Sequence, residues 1–415
     1  MRSFVDQSRF FEGVNPEELV KNYETPLYVY NESILHDRMR AVAGMITKYP
    51  YTANYSMKAN SNTAIMKIAL EEGLNFDAMS VGEIRLLERI GCPYERIFFV
   101  PNNVSDEEMR YAAERGIMVS LDSLDQLSRF GELFSGAECS VRINPGVGAG
   151  HHEKVITAGK HTKFAVSMED IDQVHKIAKE HDLKIVGLNQ HVGSLFMEID
   201  PYVEAVKNLL HVALDFPGLK LIDFGGGLGT PYHKLDGERP FPIEKLHDAL
   251  EPVLDDFVKK YGSAPLFKSE PGRYCVAESS VILGRAYARK SNAGVKYLGT
   301  DIGMNILARP TLYDAWHDIE ILRDGKPVTE GETEEITVTG NICESGDKLA
   351  KDRTLPVSKD GDLVCVLDAG AYGYCMSYNY NTRPRPAEVM ISADGSYRLI
   401  RRRETFEDMT ATLCQ

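Results

Sequence analysis

Between residues 50 and 272 the sequence repeats one physical pattern. A short apolar or β-branched run is followed by a loop and, in most cases, by a stretch of helical periodicity. The runs are YTANYSMK (ending at Lys58), NFDAMS (Ser80), IFFV (Val100), MVSLDS (Ser123), CSVRINP (Pro145), IVGLNQHVG (Gly193), LKLIDFGGG (Gly227) and PLFKSEPG (Gly272). Between them, Thr63–Gly73 and Val81–Gly91 carry apolar residues near i, i+3 and i+4. Ile243–Tyr261 does the same, with Pro252 expected to break or kink it. Eight βα units in series close into a TIM (β/α)8 barrel without crossing connections. A doubly wound open sheet is the alternative. The polar residues favour the barrel, because Lys58, Asp77, Ser80, Asn144, His191, Ser194 and Glu270 all fall at the C-terminal ends of the runs. That rim is where barrels assemble their sites.

After Gly272 the texture changes to strand-like runs joined by Gly- and Asp-containing turns. The reading is an α/β chain in three parts. Residues 1–30, with the strand-like PLYVY, pack with the later domain; residues 31–280 form the barrel; residues 281–415 form a C-terminal all-β domain. A net charge of −14 argues against a nucleic-acid surface. No run of about 18 apolar residues marks a membrane span, and the start lacks the apolar core of a signal peptide. A cytoplasmic location is the expectation. Seven scattered cysteines without CxxC spacing predict neither a disulfide framework nor a zinc site. No metal is expected at His151, His152 and His161 either, since no carboxylate or cysteine completes a ligand pattern there.

Several residues carry chemistry in combination. Lys58, ending a largely apolar strand, either snorkels to water or serves as a desolvated amine suited to Schiff-base formation. Gly225, Gly226 and Gly227 follow a strand directly, which allows backbone N–H groups to approach a phosphate or simply makes a turn. They do not fit GxGxxG in a short βαβ unit, so a dinucleotide site is disfavoured. Glu270 can accept a pyridinium N–H or form an ordinary salt bridge. His191 can stack on a cofactor ring or sit as a satisfied core residue. Cys343, beside Glu344, can pass a proton to a carbanion or remain a buried thiol. Tyr372 can donate to a phosphate or pack among the aromatics of DAGAYGYC.

The stretches YSMKAN, FDAMSVGEI, RINPGVGAGHH, QHVGS, DFGGGLG, EPGR, RPTLYDAWH, CESGD, AKDR and DAGAYG occur in one order over nearly the whole chain. In that order the sequence resembles the fold-type III pyridoxal-phosphate decarboxylases, and within them the diaminopimelate decarboxylases. The resemblance implies a barrel and a β domain working as a homodimer with shared active sites. It implies that Lys58 is the Schiff-base lysine, that His191 stacks on the ring and that Glu270 pairs with its nitrogen. Gly225, Gly226, Gly227, Ser194 and Tyr372 become the phosphate cradle, with Asp77 and Gly272 in the same cofactor-binding set. Arg273, Arg309 and Tyr313 hold the substrate's distal carboxylate, with Tyr372 and Glu344 beside them. Cys343, paired with Glu344, comes from the other subunit and protonates the α-carbon. The implied reaction converts meso-2,6-diaminopimelate to L-lysine and carbon dioxide, a step of lysine biosynthesis. HVGSLF stands where HIGSQ is common and KFAV where KFGI is common; neither touches an assigned role. An ornithine, lysine or arginine decarboxylase would leave Arg273 and Arg309 without a carboxylate to bind. Racemases of this fold resemble a pattern with Arg opposite the ring nitrogen, and non-catalytic cofactor-binding relatives resemble the barrel alone.

Overall fold

The computed structural model describes residues 2–146, 149–150 and 163–414, so His151, His152 and His161 lie outside the described residues. The chain divides into two compact units. One comprises His36–Thr230 and Pro240–Cys275, the other Met1–Leu35, Pro231–Arg239 and Val276–Gln415.

In the first unit the strands Tyr51–Ser56, Asn75–Ala78, Ile97–Phe99, Met118–Leu121, Glu138–Asn144, Lys184–Asn189, Leu221–Asp223 and Leu266–Ser269 pair in parallel. The ring closes where Phe267 pairs with Tyr51, so the eighth strand lies beside the first. This is the barrel that the eightfold pattern predicts. Its helices begin where short polar side chains cap them. Asn62 accepts from the Ala64 N–H, Ser80 from Glu83, Ser123 from Gln126, and Ser105 forms a reciprocal capping box with Glu108. Ser80, at the rim by sequence, is thus a helix cap. Helix Ile243–Tyr261 runs without a break through Pro252, contrary to a break at that residue. Ile243, Leu246 and Leu250 before the proline and Leu254 and Phe257 after it form one buried stripe, whose packing holds the helix together past the missing hydrogen bond.

The barrel interior is unusually polar. Side chains alternate along a strand, so residues two apart share a face. Asn54 on the first strand donates to Asp223 on the seventh at 3.2 Å, and Ser120 on the fourth bonds Asn189 on the sixth at 2.5 Å. Neither pair of strands is adjacent in the ring, so both bonds cross the interior. Lys268, buried, lies 5.3 Å from the centre of the Phe98 ring. A small apolar cluster of Phe98, Val100 and Leu221 accompanies these groups.

In the second unit, strand Leu27–Asn31 is buried at every position and lies between two strands from the far end of the chain. It runs antiparallel to Ser280–Asn292 and parallel to Ala387–Ile391. Around it, Phe10, Leu19, Val29, Val281, Leu283, Leu363, Val389 and Ile391 form the core. Segment 231–239 belongs to this unit through Lys234, whose buried ammonium meets Glu278 at 3.0 Å and Asp368 at 2.7 Å.

Candidate active site

Within the barrel unit the predicted residues gather at the ends of the first, second, sixth, seventh and eighth strands. The first strand ends in a 3-10 turn, Met57–Ala59, which carries Lys58. Ser56 just before it donates to Asp77 at 2.8 Å. Gly272, after the eighth strand, lets the chain pass close to that turn; a Cβ there would lie 3.0 Å from Ser56 Cβ and 3.2 Å from Ala59 Cβ. Glu270 is 3% exposed, and its Oε1 has no hydrogen-bond partner among the described residues; the same holds for Asp77 Oδ1. Leaving such an oxygen unmet in a dry interior costs about 1–3 kcal/mol or more. A native protein tolerates that where a ligand donor completes the site.

Carboxylates crowd this interior. Burial, and then the charge of Glu270, push Asp77 up to about 7, with Lys58 opposing. Burial and Glu270 likewise raise Asp223. Glu270 itself is raised by burial against the pull of Lys58, Arg142 and Lys268. His191 moves the other way: burial, then the cations Lys58 and Arg142, hold it well below the ordinary histidine range. Its Nδ1 accepts from the Gly226 N–H at 3.3 Å, so the neutral ring carries its proton on Nε2. The 3.8 Å approach of His191 Nδ1 to Glu270 is therefore not an ion pair.

The glycine run is built for close packing. A Cβ on Gly225 would sit 2.1 Å from the Gln190 carbonyl oxygen, one on Gly226 2.0 Å from that of Glu270, and one on Gly227 2.2 Å from the Phe196 ring. Gly225 and Gly227 also have φ of 72° and 116°. The Gly225 N–H donates to Asp223 at 2.8 Å and the Gly226 N–H to His191, so two of the three amides are engaged by protein groups. Ser194 accepts from Arg273 at 2.9 Å. The structure thus brings together a residue read as phosphate-binding and one read as carboxylate-binding.

The remaining predicted residues lie in the sheet unit. Arg309 and Tyr313 bound the short helix Arg309–Tyr313. Cys343 and Glu344 are exposed, on a loop shaped by the buried Asp347, which accepts from Ile342 N at 2.7 Å and Met304 N at 2.6 Å. Thr311 ties that loop to the helix through the Gly346 carbonyl at 3.1 Å. Tyr372 has φ of 56°, a conformation costly for a bulky side chain. It lies in a closely packed glycine segment: a Cβ on Gly370 would lie 1.8 Å from the Val276 carbonyl oxygen and one on Gly373 2.3 Å from that of Ala369.

The family model for the pyridoxal-dependent decarboxylase pyridoxal-binding domain matches residues 33–277. The chain belongs to the pyridoxal-dependent decarboxylases. Within that family it is 38% identical to a diaminopimelate decarboxylase of Methanothermobacter thermautotrophicus, over 96% of this chain and 93% of the relative. It is 36% identical to that of Thermoplasma acidophilum, over 99% and 98%. The structure of diaminopimelate decarboxylase from Helicobacter pylori complexed with L-lysine superimposes with a TM-score of 0.86 at 29% identity, covering 96% of this chain and 98% of that one. The cofactor of the family is pyridoxal phosphate, and the residues present fit it. Glu270 offers an unmet buried oxygen to a ring N–H, and Lys58 an amine beside the same carboxylate cluster. Reading the sequence for strand ends overlooked Arg142, Asp223 and Lys268, which set the charge around Glu270. Alternation would have found two of them, since Lys268 lies two residues before Glu270 and Asp223 two before Gly225.

Proposed function

We propose that this decarboxylase removes one carboxylate of meso-2,6-diaminopimelate as carbon dioxide and leaves L-lysine, a step of lysine biosynthesis. The observation that carries the reading is Glu270, buried with one oxygen unmet in a cluster that includes Lys58. Diaminopimelate decarboxylase relatives matched over nearly the full chain support the substrate.

Lys58 is the amine that would hold the cofactor, with Glu270 at the ring nitrogen and neutral His191 at the ring face. Gly225, Gly226, Gly227, Ser194 and Tyr372 would surround the phosphate, Asp77, which holds Ser56 before Lys58, would belong to the same cofactor-binding set, and Gly272 would give the approach. Pyridoxal phosphate supplies an acceptor for the electron pair freed when the carboxylate leaves. Arg273, Arg309 and Tyr313 orient the substrate through its distal carboxylate, which guanidinium forks match in shape and charge. Cys343, with Glu344 beside it, delivers a proton to the α-carbon, and Tyr372 borders the substrate.

The exposure of Cys343 and Glu344 supports a homodimer in which each subunit lends this loop to its partner's site. The reaction is placed in the cytoplasm. Among the described residues no helix is long and apolar enough to cross a membrane. The test measures carbon dioxide release from meso-diaminopimelate and from L-lysine. Lys58→Ala and Cys343→Ala should each be nearly inactive, and mixing them should restore up to about a quarter of wild-type activity through hybrid dimers. Equal turnover of lysine would refute the substrate, and no recovery despite subunit exchange would refute the shared site.

A further inference from the structure

Arg309 is 1% exposed, and a buried guanidinium needs partners that fix its direction. One is His317, also 1% exposed, whose Nε2 lies 2.6 Å from Arg309 Nη1. Another is Tyr232, whose ring centre lies 4.4 Å from the guanidinium carbon. Tyr232 also stands edge-on to His317, with ring centres 5.2 Å apart. The second imidazole nitrogen, Nδ1, is 2.7 Å from the Leu367 carbonyl oxygen.

These contacts determine where the imidazole proton sits. A carbonyl oxygen only accepts, so Nδ1 must carry the hydrogen. A guanidinium only donates, so Nε2 must be bare. Both contacts demand the same neutral tautomer. His317 therefore holds the guanidinium without neutralising it, which a carboxylate in its place would do. The anchor is firm, because the Leu367 N–H in turn donates to the Asp318 carbonyl at 2.9 Å, continuing the pairing of strands Ile319–Arg323 and Leu363–Val366.

We infer that His317 is a positioning residue for substrate specificity: through its bare Nε2 it aims the charged fork of Arg309 at the distal carboxylate. The inference rests on the assignment of Arg309 to that carboxylate. Decarboxylation at one end of diaminopimelate leaves lysine with the distal carboxylate intact, whereas cadaverine has none. Competitive inhibition of the holoenzyme by L-lysine and by cadaverine thus reads the contact directly.

His317→Asn keeps an amide near Nδ1 and loses the reach to Arg309; His317→Gln restores an acceptor near Nε2. For His317→Asn, KM for meso-diaminopimelate and the L-lysine inhibition constant should rise about tenfold or more, with kcat and cadaverine inhibition changed less than about twofold. His317→Gln should recover most of the loss. Equal weakening of both inhibitors, no weakening of either, or no recovery with Gln would overturn the inference. His317→Phe replaces the Asn variant if that fails to fold in a thermal melt; failure of both means that His317 serves the fold, which also overturns it. Arg309→Ala separates the two levels. If it leaves lysine inhibition intact, the assignment of Arg309 fails and the inference with it; if it weakens lysine and His317→Asn does not, only the role of His317 fails.

Discussion

The two units treat buried charge differently. In the sheet unit the buried carboxylates have protein partners: Glu320 takes the Ser3 hydroxyl and the N–H groups of Phe4 and Val5, Glu388 takes Tyr30 and Arg401, and Asp368 and Glu278 share Lys234. In the barrel, Asp77 and Glu270 each keep an oxygen with no hydrogen-bond partner among the described residues, and Gln190 keeps both ends of its amide so. The sheet unit has unmet atoms too, Asp368 Oδ2 and both ends of the Asn305 amide among the described residues, but Asp368 is held through its other oxygen by Lys234 at 2.7 Å, whereas His191 stands 3.8 Å from Glu270. The difference lies in which carboxylates are anchored by a cation.

Lys234→Met is the severest way to break this contrast. It strands Glu278 and Asp368 in the sheet unit, and removing one partner of a buried charge cluster typically costs about 3–5 kcal/mol. Denaturant melts should show that loss; a change within about 0.5 kcal/mol would mean the triad is not structural.

Glu270→Gln sharpens the comparison from the other side. A neutral amide cannot hold a proton on the ring nitrogen, so kcat should fall on the order of 100-fold, about 2.7 kcal/mol of barrier. The same change relieves carboxylate crowding, so the cofactor-free protein should gain stability in a thermal melt. A loss of activity together with an equal loss of stability would place Glu270 among the structural carboxylates.

The gentlest change per step is a pH slope. Asp77 titrates near 7 when folded and near 3.8 otherwise, so the folded state binds more protons between these values. Its contribution to stability is fully present below pH 3.8 and is lost as pH rises through 7, at up to about 1.4 kcal/mol per pH unit. Cofactor-free Asp77→Asn should therefore decline less than the wild type between pH 5 and 8 in denaturant titrations. Parallel curves would mean that Asp77 is not the titrating group.

What could be read in the sequence follows from this contrast. The eight barrel strands were legible because each is a short apolar run closed by a polar residue, and Lys58 and Glu270 stood out as such ends. Lys268 and Arg142 were harder to see, because a charged residue within a strand reads as solvent-facing unless the strand is known to close into a barrel. Pro252 suggested a break or kink, and the helix does not break there, because the buried stripe on either side of it outweighs the local rule. Segment 231–239 fell within the barrel bounds by sequence; contacts of Tyr232 and Lys234 with residues far along the chain assign it elsewhere. The same is true of His317, whose role depends on a carbonyl at Leu367.

The strand Leu27–Asn31 has a consequence for biosynthesis. Its neighbours, Ser280–Asn292 and Ala387–Ile391, leave the ribosome only after the whole barrel has been made. At roughly 5–20 residues per second, LYVYN waits tens of seconds as an apolar strand with both edges open. Throughout that interval the nascent chain carries an adhesive segment that its own sheet cannot yet cover. Slow translation, or a chain that stops before Ala387, prolongs the exposure of an edge that invites pairing with other chains.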